Sequence, residues 1–250
     1  VLWVVSKGGF LSSKLEIRGM DPSDKTSPLG VFAKEDIETK EQLMFVPKSA
    51  YISIQDEAIP RDNSDEAQYY YKNLCLLSKK LKTEMEKGND SDYAPFINYL
   101  KNQRRGQLPA TWSKAGKDAL RLVLWHGHDA VDWMDKQLKN ICVNGDPWDE
   151  HLMALAVQRG YDNALIPVWD MVNHKNGYVN TETDSIWVDN GLKVRASRPI
   201  QAGEEIFASY NECLDCGNVW WYWGTPEILR DFGFVESYRQ RWVFYEYNIW

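Results

Sequence analysis

Polar residues follow an apolar run in the segment ALIPVWDMVNHKNG (164–177). Asp170, Asn173 and His174 arrive at fixed spacing directly after the run, so a buried segment could hold them rigidly and present them to a ligand. The same residues could instead form an ordinary turn with satisfied hydrogen bonds. The local sequence alone leaves both interpretations open.

Tyr210 is the second candidate for chemistry, because it ends the amphipathic run GEEIFASYN (203–211) directly before a polar turn. A tyrosine at the end of a strand can point its hydroxyl into a cleft. It can equally be a core aromatic with only its hydroxyl in water. This residue therefore needs a second signal before a function is assigned to it.

The cysteines and histidines give little support for a metal site. Cys213 and Cys216 form one CxxC pair, whereas structural zinc needs four ligands and the chain has no second such pair. His126 and His128 lie in a segment of helical pattern, with His151 further along, and positions i and i+2 of a helix face different sides. We predict no metal, and we interpret the CxxC as a buried or redox-labile pair.

The composition excludes several classes of protein. The 250 residues include 36 acidic and 29 basic ones, and the net charge of −7 is opposite to what nucleic-acid binding requires. No apolar run approaches the roughly 20 residues of a membrane-spanning helix, and the first ten residues lack the basic start of a signal peptide. We expect no nucleic-acid or membrane partner, and a substrate attracted by net charge would be basic.

Cysteine usage favours a reducing, intracellular compartment. Cys75 and Cys142 lie singly in segments of helical pattern, where a buried reduced thiol is the usual state. Cytosol, nucleus and plastid all remain open. The chain begins at Val1, and the aromatic run 242–250 alternates like a strand that needs a partner, so we expect a truncated protein.

Strand and helix patterns alternate in three blocks along the chain. A helical pattern fills residues 56–160, with its most regular spacing at 64–87 and 113–140. Short strand patterns separated by turn-forming residues precede and follow this block. The predicted strands are KLEIR (14–18), GVFA (30–33), QLMFVP (42–47), AYISI (50–54), IWVD (186–189), LKVRAS (192–197) and EIFASY (205–210).

A short helix is predicted at residues 225–232, after the second block of strands. Thr225 is a natural N-cap, Pro226 fits the first helical position, and Gly233 ends the helix. The chain contains no internal repeat and no low-complexity tract.

Five sets of segments follow one another in the order and spacing of a known family. They are SPLGVFAKEDI (27–37), PFINYLKN (95–102) with LPATWS (108–113), IPVWDMVNH (166–174), SRPIQAGEEIFASYN (197–211) and ILRDFGFVE (228–236). On these segments the chain resembles the SET-domain methyltransferases, in the subclass that includes the Rubisco large-subunit and actin-histidine methyltransferases. The resemblance covers roughly residues 14–235.

The resemblance implies S-adenosylmethionine as the cofactor. Leu29, Gly30 and Val31 would form a glycine turn against it, since Gly30 lets the backbone approach without a Cβ. Arg159 would pair with the cofactor carboxylate, because a guanidinium fork suits that group. We expect no metal and no covalent intermediate, since methyl transfer depends on holding the amine in line with the sulfonium methyl.

The same resemblance assigns the polar residues of the 164–177 segment. Asn173 and His174 would bind the cofactor amino group and adenine through side-chain and backbone contacts. Asp170 belongs to the cofactor site by position, although it is expected to brace the turn rather than touch the ligand. Phe234 would cover the adenine.

By resemblance Tyr210 is the catalytic tyrosine, and it also borders the cofactor. A phenol with an unperturbed pKa of about 10 is a poor general base at neutral pH. We therefore assign Tyr210 a positioning and electrostatic role, in which it orients the amine lone pair and the sulfonium methyl. Solvent or a water path would remove the proton.

Two features depart from the family pattern. Glycine usually follows the tyrosine, whereas this chain has Asn211, which tolerates positive φ but adds a side chain at the cleft mouth. Residues 211–224 form an insertion, NECLDCGNVWWYWG. Its Trp221, Tyr222 and Trp223 could form a wall or lid, or pack on the helical insert.

The predicted fold is α+β: a SET fold of short strands with pseudoknot-like threading, interrupted by a helical insert. The threading would bring Asn173, His174 and Tyr210 together, and we accept it only on the resemblance. The expected divisions are an N-terminal SET half at 14–55, a helical insert at 56–160, a C-terminal SET half at 161–236 and a truncated region at 237–250.

The predicted function is S-adenosylmethionine-dependent N-methylation of a lysine in a protein substrate. The post-SET cysteine cluster of histone-directed relatives is absent from the sequence, which favours a non-histone substrate. Two alternatives stay open. The acceptor could be histidine, or the chain could be an inactive SET-like module that binds a protein segment.

Overall fold

The computed structural model describes residues 1–21, 23–24, 27–54, 66–123, 142, 145–186, 190–211, 224–237, 240, 242–244 and 247–249. The helices are α1 (Leu2–Ser6), α2 (Glu66–Lys87), α3 (Ala94–Lys101), α4 (Lys114–Val123), α5 (Pro147–Arg159) and α6 (Thr225–Phe232). The strands are β1 (Phe10–Leu11), β2 (Leu15–Gly19), β3 (Leu29–Ala33), β4 (Gln42–Pro47), β5 (Ile52–Ser53), β6 (Gly160–Tyr161), β7 (Ala164–Leu165), β8 (Asn173–His174), β9 (Thr181–Thr183), β10 (Gly191–Ala196), β11 (Phe207–Ala208), β12 (Trp242–Phe244) and β13 (Tyr247–Ile249).

The strands form small sheets rather than one large sheet. β4 lies inside an antiparallel sheet of order β1-β4-β10-β9, and its Leu43, Met44, Val46 and Pro47 are buried. β2 and β3 pair as an antiparallel ribbon, and β5, β7 and β6 form a third antiparallel sheet. β8 and β11 pair in parallel. Short strands together with helices confirm the predicted α+β class.

The buried apolar residues form two cores, and the first lies mainly among the helices, with Ile52 and Leu165 from strands. On α2, Leu74, Leu77, Leu81 and Met85 recur at helical spacing and pack with α3 and α5. The second core lies among the strands, where side chains such as Val31 are fully buried. Each such apolar side chain stabilises the fold by roughly 1.5–3 kcal/mol. The domain limits at residues 55 and 160 stay a prediction.

Turn chemistry explains where the helix at 225–232 begins. Its limits are those predicted, but Gly224 rather than Thr225 is the N-cap. The Glu227 carboxylate accepts the Gly224 N–H at 2.7 Å, as in the return half of a capping box. Thr225 is instead buried, and its hydroxyl donates to Glu236 at 2.6 Å.

Two strand predictions need correction. The run 205–210 contributes the two-residue strand β11, and before it Glu205 forms an isolated antiparallel bridge with Phe32 instead of continuing the same strand. The run 242–250 was expected to be one strand with a partner, but it forms two strands, β12 and β13, that pair with each other. Residues 124–140 and 187–189 of two further predictions lie outside the described residues.

The expectation of separate reduced thiols at Cys75 and Cys142 was wrong. The structure joins them in a disulfide, with Cα atoms 5.5 Å apart. Cys75 lies on a buried face of α2, and the chain returns to it 67 residues later, so the pairing is a tertiary contact that local pattern does not reveal. Within the described ranges, no helix combines the length and apolar character needed to cross a bilayer.

Candidate functional site

The parallel pairing of β8 with β11 creates the centre of the site. Phe207 lies opposite Asn173 and Ala208 lies opposite His174. Three residues after Phe207, the backbone N–H of Tyr210 donates to His174 Nδ1 at 2.9 Å, and the two rings lie 5.2 Å apart. The structure therefore brings together Asn173, His174 and Tyr210, as predicted.

A strained residue shapes the turn before β8. Val168 has a φ of +71°, which a β-branched residue rarely adopts and which costs about 1–3 kcal/mol. Its side chain is buried, so the surrounding core holds the conformation. The single turn Trp169–Met171 follows and places Asp170 against Arg159 at the end of α5.

Asn173 connects β8 to the first block of strands. Its side-chain amide donates to the Leu29 carbonyl at 3.2 Å and to Glu205 Oε1 at 2.7 Å. Burial raises the pKa of Glu205, while the Asn173 hydrogen bond favours its ionised form. A Cβ on Gly30 would lie 2.6 Å from the same Glu205 oxygen, so glycine is needed here for close packing.

The predicted glycine turn at Leu29, Gly30 and Val31 is a strand in the structure. These residues pair with β2, and extended backbone satisfies the hydrogen bonds that a turn would have left open. Val31 is fully buried and its carbonyl accepts the Ile206 N–H at 2.8 Å. Of the three, Leu29 is the one that lines a described cavity.

Arg159 is held by three residues, from α3, from the loop after it and from the turn before β8. Its Nη1 donates to the Tyr99 hydroxyl at 2.9 Å and to the Asp170 carboxylate at 3.0 Å, and Nη2 donates to the side-chain amide oxygen of Gln103. Most of the guanidinium's bonding capacity is thus used inside the protein, although Arg159 still lines two cavities. The prediction that it binds a cofactor carboxylate stays a prediction.

Asp170 does more than brace a turn. Its side chain is 1% exposed and forms an ion pair with Arg159. Burial raises the pKa of Asp170 to about 6, although the guanidinium beside it acts in the opposite direction. Among the described residues no group hydrogen-bonds its Oδ1, and an unpaired buried oxygen is costly unless a ligand or water satisfies it.

The hydroxyl of Tyr210 donates to the Val172 carbonyl at 2.7 Å. Burial raises the pKa of Tyr210 further above its usual value, and the neighbouring Asp170 carboxylate adds to the rise. The phenol therefore stays protonated at neutral pH, with its proton bound to Val172. Its oxygen can still accept a hydrogen bond, which suits a positioning role and not a general base.

Two phenylalanines complete an aromatic cluster around Tyr210. The Phe232 ring lies 4.6 Å from the Tyr210 ring, and the Phe234 ring lies 5.9 Å from His174. Phe234 is partly exposed and lines a cavity with Asn173 and His174. This position is compatible with the predicted cover over an adenine.

Three adjoining cavities surround these residues. Cavity A, of about 280 Å³, includes Asn173, His174 and Phe234. Cavity B, of about 510 Å³, shares Asn173 with cavity A and also includes Arg159. Cavity C, of about 150 Å³, shares Arg159 and Asp170 with cavity B and has Tyr210 in its wall. Cavity B thus meets the small aromatic cavity C at the Arg159–Asp170 pair, and cavity A adjoins B at Asn173.

Comparison with known proteins decides the family. The SET domain model matches residues 29–211, which is most of the chain. The chain belongs to the SET-domain family. No curated protein sequence matches it.

Solved structures with the same fold include Rubisco LSMT bound to AdoMet, with a TM-score of 0.58 and 14% identity. Rubisco LSMT bound to sinefungin and monomethyllysine matches with a TM-score of 0.57 and 16% identity. The SET domain of LSMT bound to lysine and AdoHcy matches with a TM-score of 0.57 and 14% identity. These matches cover 94–95% of this chain but only 55–56% of those chains, so this chain spans just over half their length. At such low identity the likeness establishes the fold, which confirms the predicted SET architecture.

Asn211 occupies the place where the family usually has glycine, and the structure corrects its expected role. Its φ is not positive, and it is buried instead of lying at a cleft mouth. Its Oδ1 accepts from Ser209 at 3.0 Å and from Asn176 at 3.2 Å. The side chain thus packs into polar interior structure, and the aromatic residues at 221–223 lie outside the described residues.

Sequence reasoning missed four residues of this SET site: Tyr99, Gln103, Glu205 and Glu236. Tyr99 and Glu236 lie inside segments that carry the family resemblance, PFINYLKN and ILRDFGFVE, but nothing local indicated that they contact Arg159 and His174. Glu205 was assigned to a turn and strand, and its neighbour Glu204 left no local signal that this carboxylate is the buried one of the two.

Metal binding is not supported by the described part of the SET domain. Within it, no three His, Cys, Asp or Glu side chains are grouped as a metal site requires. His151 is buried in α5. His126, His128, Cys213 and Cys216 lie outside the described residues, so the prediction of no metal stays a prediction.

Proposed function

We propose that this chain is an S-adenosylmethionine-dependent protein methyltransferase that acts on a lysine side chain. The observation that carries the proposal is the junction of cavities B and C at Arg159 and Asp170, with Tyr210 in the wall of C. A two-substrate displacement needs the two reactants to meet at one point from different sides. Membership of the SET family and fold neighbours that hold AdoMet and lysine support this reading.

The residues around cavities A and B fit S-adenosylmethionine. Their volumes of about 280 and 510 Å³ are adequate for a ligand of that size. Phe234 and His174 would hold an adenine, while Leu29 and Asn173 would hold the amino-acid end near Arg159. Gly30 and Val31 support Leu29 from the strand, and Asp170 would orient Arg159. When bound, the cofactor supplies an electrophilic methyl group.

Cavity C fits the end of a lysine side chain. Its aromatic walls, Tyr161, Trp169, Tyr210 and Phe232, suit a chain of methylenes, and its volume of about 150 Å³ is too small for a large ring system. Tyr210 would accept a hydrogen bond from the amine and direct the nitrogen lone pair toward cavity B. Water would carry away the proton, since Tyr210 is itself protonated.

A basic segment of a non-histone protein is the proposed substrate. The chain carries a net charge of −7, which favours association with a positively charged partner. The lone CxxC does not reproduce the cysteine cluster of histone-directed relatives. We propose neither a nucleic-acid nor a membrane partner.

Calorimetric titration with S-adenosylmethionine tests the cofactor site. We expect binding by the wild-type chain and its loss in Asn173→Ala, with Asn98→Ala, an exposed asparagine on α3, as the matched control. Absence of binding by the folded wild-type chain would contradict the proposal.

Radiolabelled methyl transfer to peptide libraries with a fixed central lysine or histidine then identifies the acceptor. Label on lysine peptides that disappears in Tyr210→Phe supports the lysine enzyme. Label confined to histidine peptides would show that the acceptor is histidine and not lysine. Cofactor binding without any transfer would favour the protein-binding module.

A further inference from the structure

Glu236 is a buried carboxylate that contacts the site from the segment after α6. Its side chain is 3% exposed, and each of its oxygens accepts a hydrogen bond. Oε1 is 2.6 Å from His174 Nε2 and 2.7 Å from Asn176 Nδ2, while Oε2 accepts from the Thr225 hydroxyl at 2.6 Å. Three donors thus compensate the cost of burying the carboxylate.

The two ring nitrogens of His174 have different partners, which fixes its protonation. The Tyr210 backbone N–H is a donor and points to Nδ1 at 2.9 Å, so Nδ1 carries no proton. Nε2 must then carry the proton and donate it to Glu236. His174 is therefore neutral, in the tautomer that lets it accept from Tyr210.

We infer that Glu236 is a positioning residue that acts through His174 on the backbone of Tyr210. The carboxylate selects the Nε2–H tautomer, and that tautomer leaves Nδ1 as the acceptor that fixes the Tyr210 amide. Glu236, from the segment after α6, thereby fixes the position of β8 relative to the residues that follow β11. That this arrangement serves methyl transfer rests on the proposed function, whereas the coupling itself does not.

The same carboxylate also holds one wall of cavity A. Phe234, Val235, Glu236 and Ser237 all line that cavity together with His174. Loss of the Glu236 anchor should therefore loosen the wall and weaken cofactor binding. The Thr225 bond to Oε2 stabilises the same segment without touching His174, so Thr225→Val is a matched control for general loosening.

Nitrogen-15 NMR of the histidine-labelled chain tests the tautomer directly. The wild-type spectrum should show His174 with the proton on Nε2, and a proton on Nδ1 or on both nitrogens would overturn the inference without any variant. In Glu236→Leu the single tautomer should be lost. Glu236→Gln should keep it, because the amide oxygen can still accept from Nε2.

Hydrogen exchange of the Tyr210 amide tests the coupling. We expect exchange to accelerate about fivefold or more in Glu236→Leu, the effect of weakening one hydrogen bond, and to stay near the wild-type rate in Thr225→Val and Glu236→Gln. Equal acceleration in Thr225→Val and Glu236→Leu would mean that Glu236 is only a structural anchor and would overturn the inference.

Titration of the same variants with S-adenosylmethionine connects the coupling to the site. Weaker binding in Glu236→Leu than in Thr225→Val supports the link, and equal affinities would refute it. A wild-type chain that binds no cofactor would refute the proposed function, while the two NMR measurements would still decide the coupling.

Discussion

The two walls of the site are built on opposite principles. The strand wall, with Asn173, His174 and Tyr210, is closed by hydrogen bonds among neutral groups and two buried carboxylates, Glu205 and Glu236. The helical wall consists of Arg159 from α5 and its partners, and it leaves the Oδ1 of Asp170 without a hydrogen-bond partner among the described residues.

This difference assigns different tasks to the walls. A wall whose polar groups are already satisfied has one geometry and little reason to change when a ligand arrives, which is what preorganisation requires. The helical wall instead places a charged pair, Arg159 and Asp170, in the lining of cavities B and C, where a polar ligand can interact with it. The strand wall should therefore set the geometry of transfer, and the helical wall should respond to what binds.

Removing one member of the Arg159–Asp170 pair should have the largest effect on stability. Arg159→Met leaves Asp170 buried and unpaired, so we expect the free energy of unfolding at pH 7 to fall by about 3–5 kcal/mol. Arg159→Met combined with Asp170→Leu should recover most of that loss, since no charge remains buried. Urea unfolding measures both variants, and equal losses in the single and double variants would contradict the description of this wall.

Removing the Tyr210 hydroxyl should affect the rate while leaving the cofactor bound. In Tyr210→Phe we expect single-turnover methyl transfer to slow about 100-fold, as for loss of one preorganised polar group at a reacting centre. The affinity for S-adenosylmethionine should change little. Tyr178→Phe, at an exposed tyrosine, is the control. A parallel loss of affinity in Tyr210→Phe would show that the strand wall binds ligand as well as orienting it.

Local sequence pattern was enough to predict several helices and strands, but not to predict which of them lie next to each other in the fold. The limits of β4 and α6 agree with the sequence because the short apolar run of β4, Pro226 and Gly233 act within a few residues. The parallel pairing of Asn173 with Phe207 joins positions 34 residues apart, which periodicity cannot reveal. Only the family resemblance predicted that these segments meet.

The partners of the site residues were the least predictable part. Arg159 and Asp170 were singled out individually, but their ion pair depends on the strained turn at Val168. Glu236 stood in a segment that carries the resemblance, yet its function depends on which His174 nitrogen faces it. Such contacts are set by packing of distant segments, and so are invisible to composition and spacing.

A side chain at Gly30 should disturb the strand wall by displacing Glu205, which contacts Asn173. A Cβ there would lie 2.6 Å from Glu205 Oε1 and 2.9 Å from the Phe32 ring. We expect Gly30→Ala to cost about 1–3 kcal/mol through overpacking and to weaken cofactor binding by displacing the acceptor of Asn173. Gly116→Ala in α4, where the nearest atom would be 3.5 Å away, should instead stabilise the chain slightly. Thermal unfolding with cofactor titration separates these outcomes.

The pH dependence of stability should report the burial of the Asp170 carboxyl on the helical wall through its sign, with a smaller effect. Burial raises the pKa of Asp170 to about 6, so between about pH 4 and pH 6 the folded chain binds more protons than the unfolded chain. This carboxyl therefore makes the free energy of unfolding fall as pH rises through that window. Asp170→Asn should remove the decline.

The exposed Asp118 supplies the matched control, because the Lys114 hydrogen bond lowers its pKa. A lowered pKa means that stability rises with pH as the carboxyl ionises, so Asp118→Asn should remove a small rise near or below pH 4. Urea unfolding from pH 3 to pH 7 resolves the two signs. The two substitutions could instead change the slope of unfolding free energy against pH in the same direction. That result would mean that the pKa of Asp170 is not raised by burial. The helical wall would then lack the buried, under-satisfied charge that sets it apart from the strand wall.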